Sequence, residues 1–77
     1  YNDISFPEAL MLAIAYSKKY SITDVDANLV PNGSMVISCL IAKRYLYVLE
    51  AGVYTLTEKG VDAIKYTLDL YDDLFGR

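Results

Sequence analysis

The residues best placed to do chemistry in this chain stand in the run Asp24-Val25-Asp26-Ala27-Asn28. Its D-x-D-x-N spacing is how a calcium loop of the EF-hand kind begins. Such a loop needs glycine at its sixth position for the sharp turn and glutamate at its twelfth to complete the oxygen shell. Those positions are Leu29 and Met35, so no calcium site is expected. The two aspartates read instead as acids in the first turn of a short helix, where the helix dipole favours negative charge. Cys39 is the single cysteine, set in an apolar run, and is expected to be a small buried hydrophobe rather than a nucleophile. The chain has no histidine. That removes the Ser–His and Cys–His pairs, a histidine metal ligand and a base that titrates near neutrality. Neither an enzyme, a metal site nor a cofactor is expected.

Seventy-seven residues make one domain, residues 1–77, with a core limited by its size. A hydrophobic content of 55% excludes disorder and suggests apolar surface beyond what one core absorbs. The apolar runs at residues 9–16 and 35–42 are too short to span a bilayer. A lone cysteine allows no internal disulfide, and with no legible signal peptide the expected location is the cytoplasm. A start at Tyr1 rather than Met reads as a trimmed or excised piece of a longer chain. The net charge of −3 is the wrong sign for a chain whose main task is holding phosphates, unless a basic patch overrides it locally.

The periodicities give an order of helix, helix, helix, strand, strand, helix. Ser5 caps a first helix over residues 6–19, with Glu8 three positions on as in a capping box, Pro7 in the first turn, and Lys18 and Lys19 at the end. A short helix capped by Thr23 or Ser21 ends at Pro31-Asn32-Gly33. The next helix, residues 34–43, points Val36, Ile37, Leu40 and Ile41 inward. Two β-branched and aromatic runs, 45–50 and 53–57, flank Ala51-Gly52 as a tight hairpin, for which Gly52 supplies a positive φ. Tyr45, Tyr47 and Tyr54 crowd that hairpin, with cross-strand packing as their expected role. Thr57 then caps a last helix over residues 58–75.

Residues 40–60, "LIAKRYLYVLEAGVYTLTEKG", resemble winged-helix domains of small bacterial and archaeal transcription regulators. Leu40, Ile41, Lys43 and Leu46 fit the end of that family's recognition helix. Tyr54, Leu56, Thr57 and Gly60 fit its Y-x-L-T-x-x-G entry into the closing helix. The fold implied is α+β and mostly helical: a winged helix-turn-helix of three helices, a short two-stranded wing and helix 4. The function implied is DNA binding by a transcription-regulator-type homodimer, with Ser34, Ser38, Lys43, Arg44 and Lys59 facing double-stranded DNA. Two departures stand out. Arg44 replaces the family's usual glycine, and the wing has no Lys or Arg between Tyr45 and Thr57.

The acidic balance, the apolar third helix and the uncharged wing motivate an alternative, a winged-helix protein-interaction module that does not bind DNA. The third helix is apolar nearly all round, which suits burial better than base readout by Arg, Asn or Gln. In the last helix Val61, Ile64, Leu68, Tyr71 and Phe75 share one stripe, and Ala63, Tyr66, Leu70 and Leu74 lie on another. Asp62, Lys65, Asp69, Asp72 and Asp73 fill a wedge between them. The first stripe is expected to dock on the domain and the second to pair with another copy.

Overall fold

A computed structural model describes residues 3–76. It is an α+β domain of four helices and one three-stranded antiparallel sheet: α1 (Phe6–Ser17), β1 (Ser21–Thr23), α2 (Asp24–Ala27), α3 (Gly33–Ala42), β2 (Leu46–Glu50), β3 (Val53–Leu56) and α4 (Glu58–Phe75). The strand order is β1-β3-β2.

Local signals start each element where the side chains can satisfy free backbone donors. Ser5 and Glu8 form the expected reciprocal capping box at α1, and Thr23 with Asp26 repeats it at α2. Thr57 Oγ1 accepts the Gly60 N–H at 3.0 Å and donates to the Arg44 carbonyl at 2.6 Å, so one side chain both starts α4 and ties it to the end of α3. Gly60 is in that turn because α4 crosses the backbone at Tyr45. A Cβ at Gly60 would sit 2.1 Å from the Tyr45 carbonyl oxygen.

The strand β1 is absent from the sequence reading. Three residues are too few to show alternation, and the pairing that creates β1 is entirely non-local. Ser21, Ile22 and Thr23 register with Thr55, Tyr54 and Val53. To reach that edge the chain must leave α1 early, so the helix ends at Ser17 and not at residue 19. Lys19 (φ 59°) and Tyr20 (φ 81°) reverse it in the left-handed region. The Tyr20 carbonyl then accepts the Leu56 N–H at 2.8 Å. The hairpin turns at Ala51-Gly52, with Gly52 at φ 76°, and β2 carries a bulge between Val48 and Glu50.

The core gathers Met11, Leu12 and Ala15 of α1, Ile22 of β1, Val36, Ile37 and Leu40 of α3, and Tyr45, Leu46, Leu56, Ala63 and Ile64. The inward set expected for α3 is thus buried, with Ile41 packed at the margin. Beyond Ile64, α4 buries nothing completely. The molecule measures 40 × 23 × 22 Å, as expected when a helix roughly 27 Å long overruns the body it docks on. No helix among the described residues is long and apolar enough to cross a membrane.

Candidate functional site

The junction of α3, β2 and α4 brings together three of the cations expected to face DNA. Lys43 caps α3, Arg44 follows in the left-handed region at φ 68°, and the Lys59 ammonium donates to the Lys43 carbonyl at 2.9 Å. Glycine adopts the left-handed conformation of Arg44 without a Cβ penalty, so the arginine here carries a backbone cost.

Two of these three cationic groups face the protein. Lys43 Nζ lies 2.8 Å from Glu8 Oε2 and 3.0 Å from Oε1, and it also donates to the Asp3 carbonyl. Glu8 is the one buried charged residue of the described core. Burial opposes its charge, but the Lys43 ammonium and the Ser5 N–H outweigh burial and hold the carboxyl below its ordinary value. The same pairing raises Lys43. Lys59 sits 4.5 Å above the Tyr45 ring in a cation–π contact. The Tyr45 hydroxyl donates to Asp3 Oδ1 at 2.8 Å, and that bond above all lowers the Asp3 carboxyl. Arg44 remains exposed. Sequence reasoning placed Glu8 in its capping box and missed its second role, because Lys43 lies 35 positions away.

Ser34 and Ser38 are at the other end of α3, on its exposed face with Met35, Cys39 and Ala42. The Ser38 hydroxyl donates back to the Ser34 carbonyl at 3.1 Å, a bond within the helix. Met35 is 65% exposed. Cys39, expected in the core, is on the outer face as well, because α3 turns Val36, Ile37 and Leu40 inward and leaves the positions between them outside. The outer face therefore offers sulfur, methyl and hydroxyl groups but no guanidinium or carboxamide. At the hairpin, Tyr45 is buried in the core, while Tyr47, Val48 and Leu49 of β2 face solvent.

The two aspartates of the D-x-D-x-N run have protein partners. Asp24 accepts from the Tyr54 hydroxyl at 2.8 Å, and Asp26 accepts from the Thr23 N–H at 3.0 Å and pairs with Lys18 at 3.1 Å. No cluster of three or more metal-ligating side chains occurs among the described residues.

Helix α4 corrects the expected division into a docking stripe and a partner stripe. Ala63, expected at a dimer surface, is fully buried, as is Ile64 from the other stripe. At about 100° per residue the two stripes are the flanks of one broad apolar arc, with Gly60 and Thr67 along its middle. The first half of that arc packs on the body, which is why it takes one residue from each stripe. The second half overruns the body, and Tyr66, Leu68, Leu70, Tyr71, Leu74 and Phe75 are exposed. Between α1 and α4 runs a groove of about 200 Å³, walled by Phe6, Ala9, Leu10 and Ala13 on one side and Ile64, Thr67, Leu68 and Tyr71 on the other.

Compared with protein-family models, with curated proteins and with solved structures, the chain matches none.

Proposed function

We propose that this chain is a winged helix-turn-helix domain that docks protein rather than reading DNA. Support for the fold comes from the helix pair α2–α3, the hairpin β2–β3 and the closing helix α4, which stand in the order the resemblance at residues 40–60 implies. The α2–α3 pair is close: a Cβ at Gly33 would meet the Ala27 carbonyl oxygen at 2.0 Å.

The observation that carries the functional reading is the composition of the outer face of α3. A helix that reads bases presents forked donors and acceptors to the groove edges, and a DNA-bound domain holds phosphates with free cations. Here α3 presents Met35, Cys39, Ala42 and two serines, and the Lys43 ammonium is closed off by Glu8 and Asp3. The exposed apolar arc of α4 is the surface that calls for a partner.

Fluorescence anisotropy with mixed-sequence duplex DNA at low salt tests this reading. No binding is expected. Saturable binding that weakens steeply with added salt, the mark of phosphate neutralisation, overturns it in favour of the transcription-regulator reading.

A further inference from the structure

We propose that the groove between α1 and α4 is filled by α4 of a second copy of this chain, laid antiparallel with Leu68 at the twofold axis. This rests on the protein-docking reading above and names the partner.

The first ground is spacing. Val61, Ile64, Leu68, Tyr71 and Phe75 recur at alternating steps of three and four residues, the seam of a two-helix pair. Ile64 is already buried against α1, but Leu68 is 41%, Tyr71 45% and Phe75 75% exposed. The wall across the groove is apolar too, with Phe6 70% exposed. A patch built from the same residues on both copies is self-complementary under a twofold axis.

The second ground is charge, which selects both the flank and the direction. Lys65 and Asp72 border this seam on the side away from α1, one heptad apart. In an antiparallel pair centred on Leu68, the two copies' corresponding borders face each other. Lys65 of each copy then lies beside Asp72 of the other, giving two opposite-charge pairs. A parallel pair brings those charges opposite Gly60 and Thr67 and forms neither. The other flank of the arc, with Tyr66, Leu70 and Leu74, is bordered by Asp62, Asp69 and Asp73, so two copies meeting there would oppose like charges.

The third ground is area. The exposed parts of Phe6, Leu10, Leu68, Tyr71 and Phe75 come to roughly 500 Å², and with the flanking side chains the patch approaches the roughly 800 Å² per partner of a stable interface.

Sedimentation equilibrium of the 77-residue chain, from micromolar to submillimolar concentration, tests the proposal. The expected species has twice the 8.6 kDa chain mass. Leu68→Asp, with its helical circular dichroism retained, is expected to sediment as a monomer. Lys65→Asp and Asp72→Lys, both at exposed positions, are each expected to weaken association roughly tenfold, and the double swap to restore it. A monomer at every concentration overturns self-pairing and leaves docking of other proteins standing. A dimer indifferent to Leu68→Asp overturns both the pairing and the groove as the docking surface. A double swap as weak as either single change overturns the antiparallel register.

Discussion

Gly60→Ala separates a helix-propensity effect from a packing effect, because the two have opposite signs. Gly60 lies in the first turn of α4, and in an isolated helix replacing glycine by alanine is favourable by about 1 kcal/mol. In this fold the added Cβ would lie 2.1 Å from the Tyr45 carbonyl oxygen and 3.2 Å from Leu56 Cδ2. The first neighbour is backbone, fixed because that carbonyl also accepts the Thr57 N–H at 3.1 Å. The first turn of α4 must therefore move away, loosening Thr57, Tyr45 and Leu56 together. Overpacking of this kind costs about 1–3 kcal/mol or more, which exceeds the propensity gain. Each kcal/mol is worth about 4–8 °C in a domain of this size, so Tm is expected to fall by about 5–15 °C. Urea denaturation followed by far-ultraviolet circular dichroism measures the change, with an unaltered m-value showing that the unfolded state is the same. A rise in stability of about 1 kcal/mol would falsify the close-approach account and leave propensity as the whole effect.

Three further outcomes follow from the same geometry. Arg44→Gly places glycine at the left-handed residue after α3, and relief of the Cβ clash is expected to raise stability by up to about 1 kcal/mol; a loss on thermal denaturation would show that the arginine side chain contributes more than its backbone costs. Tyr54, whose hydroxyl donates to Asp24, has its phenol raised by that bond first and by burial second. Its contribution to stability is complete below about pH 10 and is lost as pH rises through the higher folded value; site-resolved NMR titration of the Tyr54 ring should show its phenol fall towards its ordinary value in Asp24→Asn, and an unchanged titration would show that burial alone raises it. Glu8, Asp3 and Asp26 all have lowered carboxyls, so their contributions are complete above their ordinary values and are lost as pH falls through the lower folded ones. In Lys43→Met the buried Glu8 loses its partner, and desolvation should carry its carboxyl above the ordinary value. That reverses the sign of its pH dependence, and carbon-detected NMR titration of Glu8 reads it directly; a carboxyl that stays low would show that the Ser5 cap alone holds it.

Legibility from sequence followed the range of each interaction. The caps at Ser5 and Thr57 act over three residues, so residue type at fixed spacing was enough to place them and the starts of α1 and α4, whereas Ser21 and Thr23 were equal candidates for α2 until pairing with β3 took Ser21 into a strand. The inward set of α3 and the Ala51-Gly52 turn were equally local. Missing from that reading were β1, which exists only because β3 lies beside it, and the inward ion pair of Glu8 with Lys43. Lys43 was assigned to phosphate because its type suits phosphate, and only the packing of α1 against α3 shows a carboxylate already there. Cys39 was misplaced for a related reason: it stands in a run apolar on every side, and the body covers only the face that carries Val36, Ile37 and Leu40.

The sequence by itself determined the four helices and the hairpin strands, the caps of α1 and α4, and the amphipathic character of α4, since these depend on residues three or four apart. The tertiary structure decided how that amphipathicity is used. On a helical wheel the two apolar stripes of α4 look like alternatives, one for the body and one for a partner. In the fold the body takes the first half of both, burying Ala63 and Ile64 side by side, and stops. The division between core and exposed apolar surface runs across the helix axis rather than along it, because the body is shorter than the eighteen residues of α4.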